Sequence, residues 1–341
     1  MSPEPRIRYL SRRQMMSRPM KQRLNPVYVK ACDFFNAVLI DRTGTIDAGI
    51  EFQIIDPIHR ISGSSDPFST ICLDRARQIA LSSRDKTITL LWSGGIDSTT
   101  ALVSLILALG ESDELHRLKV LLSQESINEF PSFFNEKIKP ALTYVVMKDG
   151  IYTEIRRDEY NVSGEHGDQL FGSDKLQYAV QTGDAFRPFE DILEFIIARK
   201  LGTSRYTQAI IDFFSAQIQH SQVRIHTLYD YLWWMNFSMK WQNVTMRLIH
   251  GLGEDRFVLD HNLTHFFQSL PFQNWSVSNH DNKIKTDWRS YKYAAKEFIY
   301  QFHADKNYLV NKEKEQSLKQ VIVHSNDDRK WYNAFTRWYK R

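Results

Sequence analysis

Residues Thr87 to Ser98 read Thr-Ile-Thr-Leu-Leu-Trp-Ser-Gly-Gly-Ile-Asp-Ser, an apolar strand that runs directly into a turn holding two glycines. Glycine lacks a Cβ, so two in succession let the backbone fold tightly enough to aim consecutive N–H groups into one anion-sized concavity. Residues 99–109 are mostly apolar and read as a helix, with Gly110 where a C-terminal cap belongs. The turn therefore falls on a helix N-terminus, where orphan N–H groups and the positive end of the helix dipole favour negative charge. Strand, Ser-Gly-Gly-x-Asp-Ser and helix in that order predict a phosphate-binding loop; the alternative is an ordinary strand-to-helix turn. On the first reading Leu91, Trp92, Ser93, Gly94, Gly95, Ile96, Asp97 and Ser98 form a nucleotide site, with Ser93 and Ser98 adding hydroxyl donors. A carboxylate in an anion-binding loop makes sense mainly as a ligand for Mg²⁺ carried in with the phosphates, which assigns Asp97 to the metal. No G-x-x-x-x-G-K-[ST] occurs in the chain, so this is not the common P-loop that cuts at the γ-phosphate.

A second segment, Tyr160 to Gly172, reads Tyr-Asn-Val-Ser-Gly-Glu-His-Gly-Asp-Gln-Leu-Phe-Gly. The first loop resembles that of the N-type ATP pyrophosphatases, the PP-loop superfamily, which cleave ATP between the α- and β-phosphates. The second segment resembles Ser-Gly-Glu-Gly-x-Asp-Glu-Leu-Phe-Gly in the synthetase domain of asparagine synthetase and its relatives, including β-lactam synthetases. The resemblance implies that Ser163 and Gly164 lie near the adenosine, Glu165 near the reacting carboxylate, and Asp168 on Mg²⁺ opposite Asp97. Two departures stand out: His166 replaces a small residue and Gln169 replaces the second glutamate. Both bear on the substrate pocket more than on the ATP site. Without the resemblance, the segment reads as a polar Gly-rich loop in which Asp168 caps a helix before Leu170 and Phe171.

Looser likenesses follow. Phe257-Val-Leu-Asp260, then Phe266 to Pro271, is similar to the family's Pro-Phe-Leu-Asp stretch and following helix, without the proline. Tyr293 to Leu318 is similar to its C-terminal helix, connector and Arg-x-Lys, with Lys312-Glu313-Lys314 at the matching point. The resemblance makes Lys314 the catalytic lysine that reaches back to the phosphates, with Lys312 its nearest competitor. A Lys/Glu-rich run such as 312–319 is also what a solvated face looks like.

Short apolar strands alternate with helices: a helix over 74–83, strands over 118–122 and 142–147, and a helix over 133–138 between them. This pattern predicts an α/β fold with a parallel sheet covered on both faces and ligands beyond the strands' carboxyl ends. The resemblance makes that sheet the adenine nucleotide alpha hydrolase-like (PP-loop) type. From Phe189 onward the apolar spacing is helical. The expected organisation is a basic arm and small extension over 1–73, an ATP-binding core over 74–185 and a helical substrate lobe over 186–341. Val38 to Ile55, with Thr43-Gly44 between apolar runs, predicts a hairpin. The aromatic run Tyr229 to Trp241 reads as packed core, or as a stacking platform for a base.

The chain has 341 residues, 42% of them hydrophobic, and no apolar run long enough to span a membrane. Two cysteines, Cys32 and Cys72, form neither a CxxC nor a metal-ligand set, which fits a reducing, cytoplasmic setting without disulfides or zinc. The first thirty residues hold eight Lys/Arg and one Glu, net +7 against +4 for the whole chain, so the remainder nets −3. Such a stretch reads as a flexible or surface-hugging arm, a nucleic-acid contact or an organellar presequence. In full-length asparagine synthetases, which the chain resembles, a glutaminase domain comes first; with so few residues before Thr87, none is expected here. The expected activity is an AMP-forming ligase that uses ATP and Mg²⁺ to adenylate a small-molecule carboxylate and pass it to an amine or ammonia. The nitrogen would come free, from a metabolite or from a separate donor protein. The alternatives are a PP-loop enzyme acting on a nucleobase or nucleoside and a non-catalytic nucleotide-binding protein.

Overall fold

The computed structural model describes residues 7–61, 65–148, 154–172, 175–251, 261–285 and 287–313. Contacts group the chain into two units, Met1–Gly63 with Asp168–Arg247, and Ser64–Gly167 with Leu248–Arg341. Each draws on separated stretches of sequence.

The second unit carries one five-stranded sheet: β1 (Ile88–Leu91), β2 (Leu118–Leu122), β3 (Thr143–Val146), β4 (Tyr160–Ser163) and β5 (Leu263–His265). The order is β3-β2-β1-β4-β5 and every pairing is parallel, as the sequence pattern predicts for an α/β chain. Leu90 pairs in register with Val120 and Val162, and all three are completely buried. Leu91 and Leu121 alternate with these and are buried with Ile155 and Leu248. The central strands thus hide both faces, which is why β1 and β2 read as largely apolar runs. Three helices pack against one another in this unit: α1 (Phe68–Ser83), α2 (Ile96–Glu111) and α3 (Tyr293–Phe302). From β1 the chain moves to β2 and β3 on one side, while β4 and β5 lie on the other. The loops leaving β1 and β4 therefore emerge side by side, at the switch point where open parallel sheets take ligands.

Two expectations need correction here. Gly110 does not cap α2 but lies inside it, and the left-handed residue after the helix is Asp113 (φ 58). Glu114 N–H then closes onto the Leu109 carbonyl at 2.8 Å. An added Cβ at Gly110 would meet nothing within 4 Å, so the glycine answers no steric demand. Similarly, α1 begins at Phe68, directly after Pro67, and not at Asp74.

In the first unit the described part of the basic N-terminal stretch, residues 7–30, is no flexible arm. It folds into helices Arg12–Met15, Arg18–Arg23 and Pro26–Phe35, which bury Met15, Met20, Tyr28, Val29, Phe34 and Phe35. Arg13, Arg18, Lys21 and Arg23 face outward. No hairpin forms over 38–55. Instead Asp41 gathers the N–H groups of Thr43, Thr45 and Ile46 and both threonine hydroxyls onto its carboxylate. Such side-chain acceptors compete with ladder pairing. Ile40 and Arg42 donate to the carbonyls of Met239 and Ser238. The aromatic run is packed core: Trp233, Trp234, Phe237 and Trp241 are at most 1% exposed and pack ring against ring, stacked, tilted or edge-on. Cys32 and Cys72 are buried and free. Among the described residues no helix is long and apolar enough to cross a membrane.

Candidate nucleotide-binding site

The glycine pair behaves as its spacing predicts. Gly94 adopts φ +76, a conformation that costs a side-chain-bearing residue. A Cβ there would lie 2.4 Å from the Ser126 carbonyl and 2.9 Å from Glu129 Cβ, on the helix Gln124–Glu129 that follows β2. Gly95 is the N-cap of α2 and no side chain caps that end. The first N–H groups of a helix have no intrahelical acceptor, so Ile96, Asp97 and Ser98 begin an N-terminus suited to an anion. The two hydroxyls are turned inward as well. Ser93 and Ser98 Oγ lie 2.9 Å apart, Ser93 N–H donates to Ser98 Oγ at 3.0 Å, and Ser98 Oγ donates to the Gly95 carbonyl at 3.2 Å. They brace the loop rather than standing clear as donors. Trp92 is structural: its indole N–H donates to Thr99 Oγ1 at 3.0 Å and its ring stacks on Phe133. Leu91 and Ile96 are buried.

The loop after β4 locks onto the first. A Cβ on Gly164 would sit 2.7 Å from Ser98 N, and one on Gly167 would sit 2.2 Å from Asp97 Cγ. Both glycines are there so that two backbones and one carboxylate can share the space. Ser163 Oγ lies 2.6 Å from His265 Nδ1, and Glu165 N–H donates to Ser163 Oγ at 3.3 Å. Arg75, from α1, fixes the end of β5 by donating to Thr264 Oγ1 and to the carbonyls of His265 and Phe266. His166 is 1% exposed at φ +76, with its ring centroid 5.0 Å from that of His265. A bulky buried residue in the left-handed region is strained, and such strain concentrates at functional sites. This is the position where the resembled family has a small residue.

Two ion pairs flank the loop. Lys292, at the N-cap of α3, is 1% exposed and pairs with the Asp97 carboxylate. Lys312 pairs with Glu129 at 3.2 Å, side chains 9% and 5% exposed, and that glutamate rests against the glycines. Lys296, one turn into α3, is also buried and donates to the carbonyls of Arg289 and Lys312, which ties both lysine-bearing segments together.

Burial pulls the Lys296 ammonium from 10.5 down to about 8, with Asp287 and Glu313 opposing and Lys312 assisting. Between those values the unfolded chain holds a proton that the folded chain has released, so this group adds stability as pH rises from about 8 to 10.5. The difference in urea midpoint between wild type and K296M is expected to be constant below pH 8 and to grow in favour of wild type above it. A flat difference across that range would remove Lys296 from the account.

Asp168 lies in the first turn of the short helix Gly167–Phe171. Its carbonyl accepts from Asn236 Nδ2 at 2.6 Å, and Gln169 Nε2 approaches Asn236 Oδ1 at 3.4 Å. Lys314 lies outside the described residues, as does the Phe257–Asp260 stretch. Among the described residues no group of three or more His, Cys, Asp or Glu side chains could hold a metal ion. Mg²⁺ does not require one, because it is commonly bound through one or two carboxylates with phosphates and water completing its shell. Asp97, cradled by Gly167 beside the helix N-terminus, fits that role.

No protein-family model matches the chain, and no curated protein matches it in sequence. The site therefore stands on its own chemistry. Glu129, Lys292 and His265 were not signalled by any motif. Lysines and glutamates read as solvated in a sequence, and Lys292 meets Asp97 across 195 positions.

Proposed function

We propose that the chain is an ATP-dependent ligase of the asparagine synthetase-like kind, forming AMP and pyrophosphate as it joins a carboxylate to an amine or ammonia. One observation carries this reading. An uncapped helix N-terminus with a glycine turn stands at the sheet's switch point, flanked by two buried lysine–carboxylate pairs. An anion of high charge suits such a site, since amides, dipole and ammonium groups converge on it.

In this reading the β- and γ-phosphates rest on the glycine turn and the N–H groups that open α2, and Asp97 would hold Mg²⁺. The metal would neutralise charge on the departing pyrophosphate. The acid's oxygen attacks the α-phosphorus, giving an acyl adenylate with pyrophosphate as leaving group, and the amine then displaces AMP. Activation is needed because a carboxylate is a poor electrophile. Lys312, already buried against the loop, takes the role of the cation facing developing charge that the sequence resemblance gave to Lys314. Such a group in a water-poor site is worth roughly several kcal/mol. Glu165, after Ser163 and Gly164 on the β4 loop, is the residue assigned to the side of the reacting carboxylate. His166, next to it, is buried beside His265 where the resembled family has a small residue. Specificity for aspartate is accordingly not carried over.

Purified protein incubated with ATP, Mg²⁺ and ammonia over a panel of carboxylates is expected to release pyrophosphate and AMP with at least one acid. Release of ADP and inorganic phosphate instead would overturn the assignment. K312M is expected to cut that rate by about a hundredfold or more.

A further inference from the structure

Lys292 is an unusual residue to find where it is. It caps α3 from the left-handed region (φ 59), where a residue other than glycine is held only by its surroundings. Its N–H donates to the Lys283 carbonyl at 3.1 Å, its own carbonyl accepts the first helical bond from Lys296, and Lys296 is tied to two further carbonyls. The backbone is thus pinned and the ammonium delivered to the carboxylate of Asp97, at 1% exposure. A buried ammonium needs a nearby counter-charge to remain charged. Asp97 supplies it, and Asp97 is also the carboxylate assigned to Mg²⁺. The ammonium sits on Oδ2, so a metal ion on either oxygen of the same carboxylate would stand close enough to be strongly repelled by it.

We propose that Lys292 is the loop's internal substitute for the metal ion. Its ammonium competes with divalent cations for Asp97, so that the carboxylate accepts Mg²⁺ only when phosphate oxygens are present to receive the ammonium. This rests on the nucleotide reading above and adds an order to it: metal enters with the phosphates, not before them. Glu129, the carboxylate on the other flank of the glycines, is already paired with Lys312. The arrangement also keeps the loop's four flanking charges balanced without a metal.

Mn²⁺ alone, with no nucleotide, is the probe, followed by the loss of its solution paramagnetic resonance signal as it binds. Wild type is expected to bind it weakly, K292M about tenfold tighter or more, and D97N/K292M as weakly as wild type. K292R, which keeps the cation, should exclude Mn²⁺ as wild type does, and K292Q serves if K292M does not fold. Tight Mn²⁺ binding by wild type, or equal binding by wild type and K292M, overturns the exchange. Thermal shifts with ATP and with pyrophosphate separate the two levels. If neither ligand shifts any variant, the nucleotide reading fails. If both ligands shift wild type while K292M gains no Mn²⁺ affinity, the exchange alone fails.

Discussion

Asp97→Asn is expected to do two things at once: abolish pyrophosphate release and lower the unfolding free energy by about 3 kcal/mol. Sequence reasoning alone leads to a simpler expectation, that removing a metal ligand silences the enzyme and spares the fold. The structure changes this because Asp97 is the counter-charge of Lys292, whose side chain is 1% exposed. Breaking a buried ion pair from one side typically costs about 3–5 kcal/mol, and the 22% exposure of the Asp97 side chain places the loss at the lower end. The double variant D97N/K292M separates the effects. Replacing a buried pair with uncharged groups of similar volume is often close to neutral, so most of the lost stability should return while activity stays absent. Urea unfolding of the four proteins gives the coupling energy directly. A D97N protein as stable as wild type would mean that the lysine does not depend on this carboxylate, and full pyrophosphate release by D97N would remove the metal role.

What the sequence makes legible is what local chemistry determines. The strand Ile88–Leu91, the glycine turn and the helix from Ile96 follow from an apolar run, two residues without a Cβ and apolar residues at helical spacing. Leu118–Leu122 follows with both its ends. β4 and β5 are less readable. One is four residues leading into a glycine-rich loop and the other is three, too short for a period to register. Partners distant in sequence were out of reach. Nothing near Lys292 in the chain says that its ammonium meets Asp97, and nothing near Glu129 says that it lines a glycine turn. Asp41 misled for the opposite reason. The local pattern at Thr43-Gly44 suits a hairpin, yet one carboxylate that accepts five donors offers the backbone a competing solution. The basic N-terminal stretch misled by composition, since its charges point outward from helices whose other side is core.

Gly94→Ala is the variant with the largest expected effect on the loop itself, and Gly110→Ala is its internal control. At Gly94 an alanine must hold φ +76, which costs roughly 1–2 kcal/mol, and its Cβ would fall 2.4 Å from the Ser126 carbonyl. A backbone oxygen cannot rotate away as a side-chain tip can, so the turn or the helix Gln124–Glu129 must shift, at a further cost of about 1–3 kcal/mol. That shift also moves Glu129, and with it the anchor of Lys312, so ATP affinity should be lost together with stability. At Gly110 nothing lies within 4 Å of the added methyl and the residue is inside a helix. Alanine there should stabilise the chain by about 0.5–1 kcal/mol and leave ATP binding untouched. Chemical denaturation and calorimetric titration with ATP and Mg²⁺ on both variants read out the comparison. If both glycines tolerate alanine equally, the turn is not held in the left-handed form against Ser126, and the cradle argued for the phosphates loses its basis.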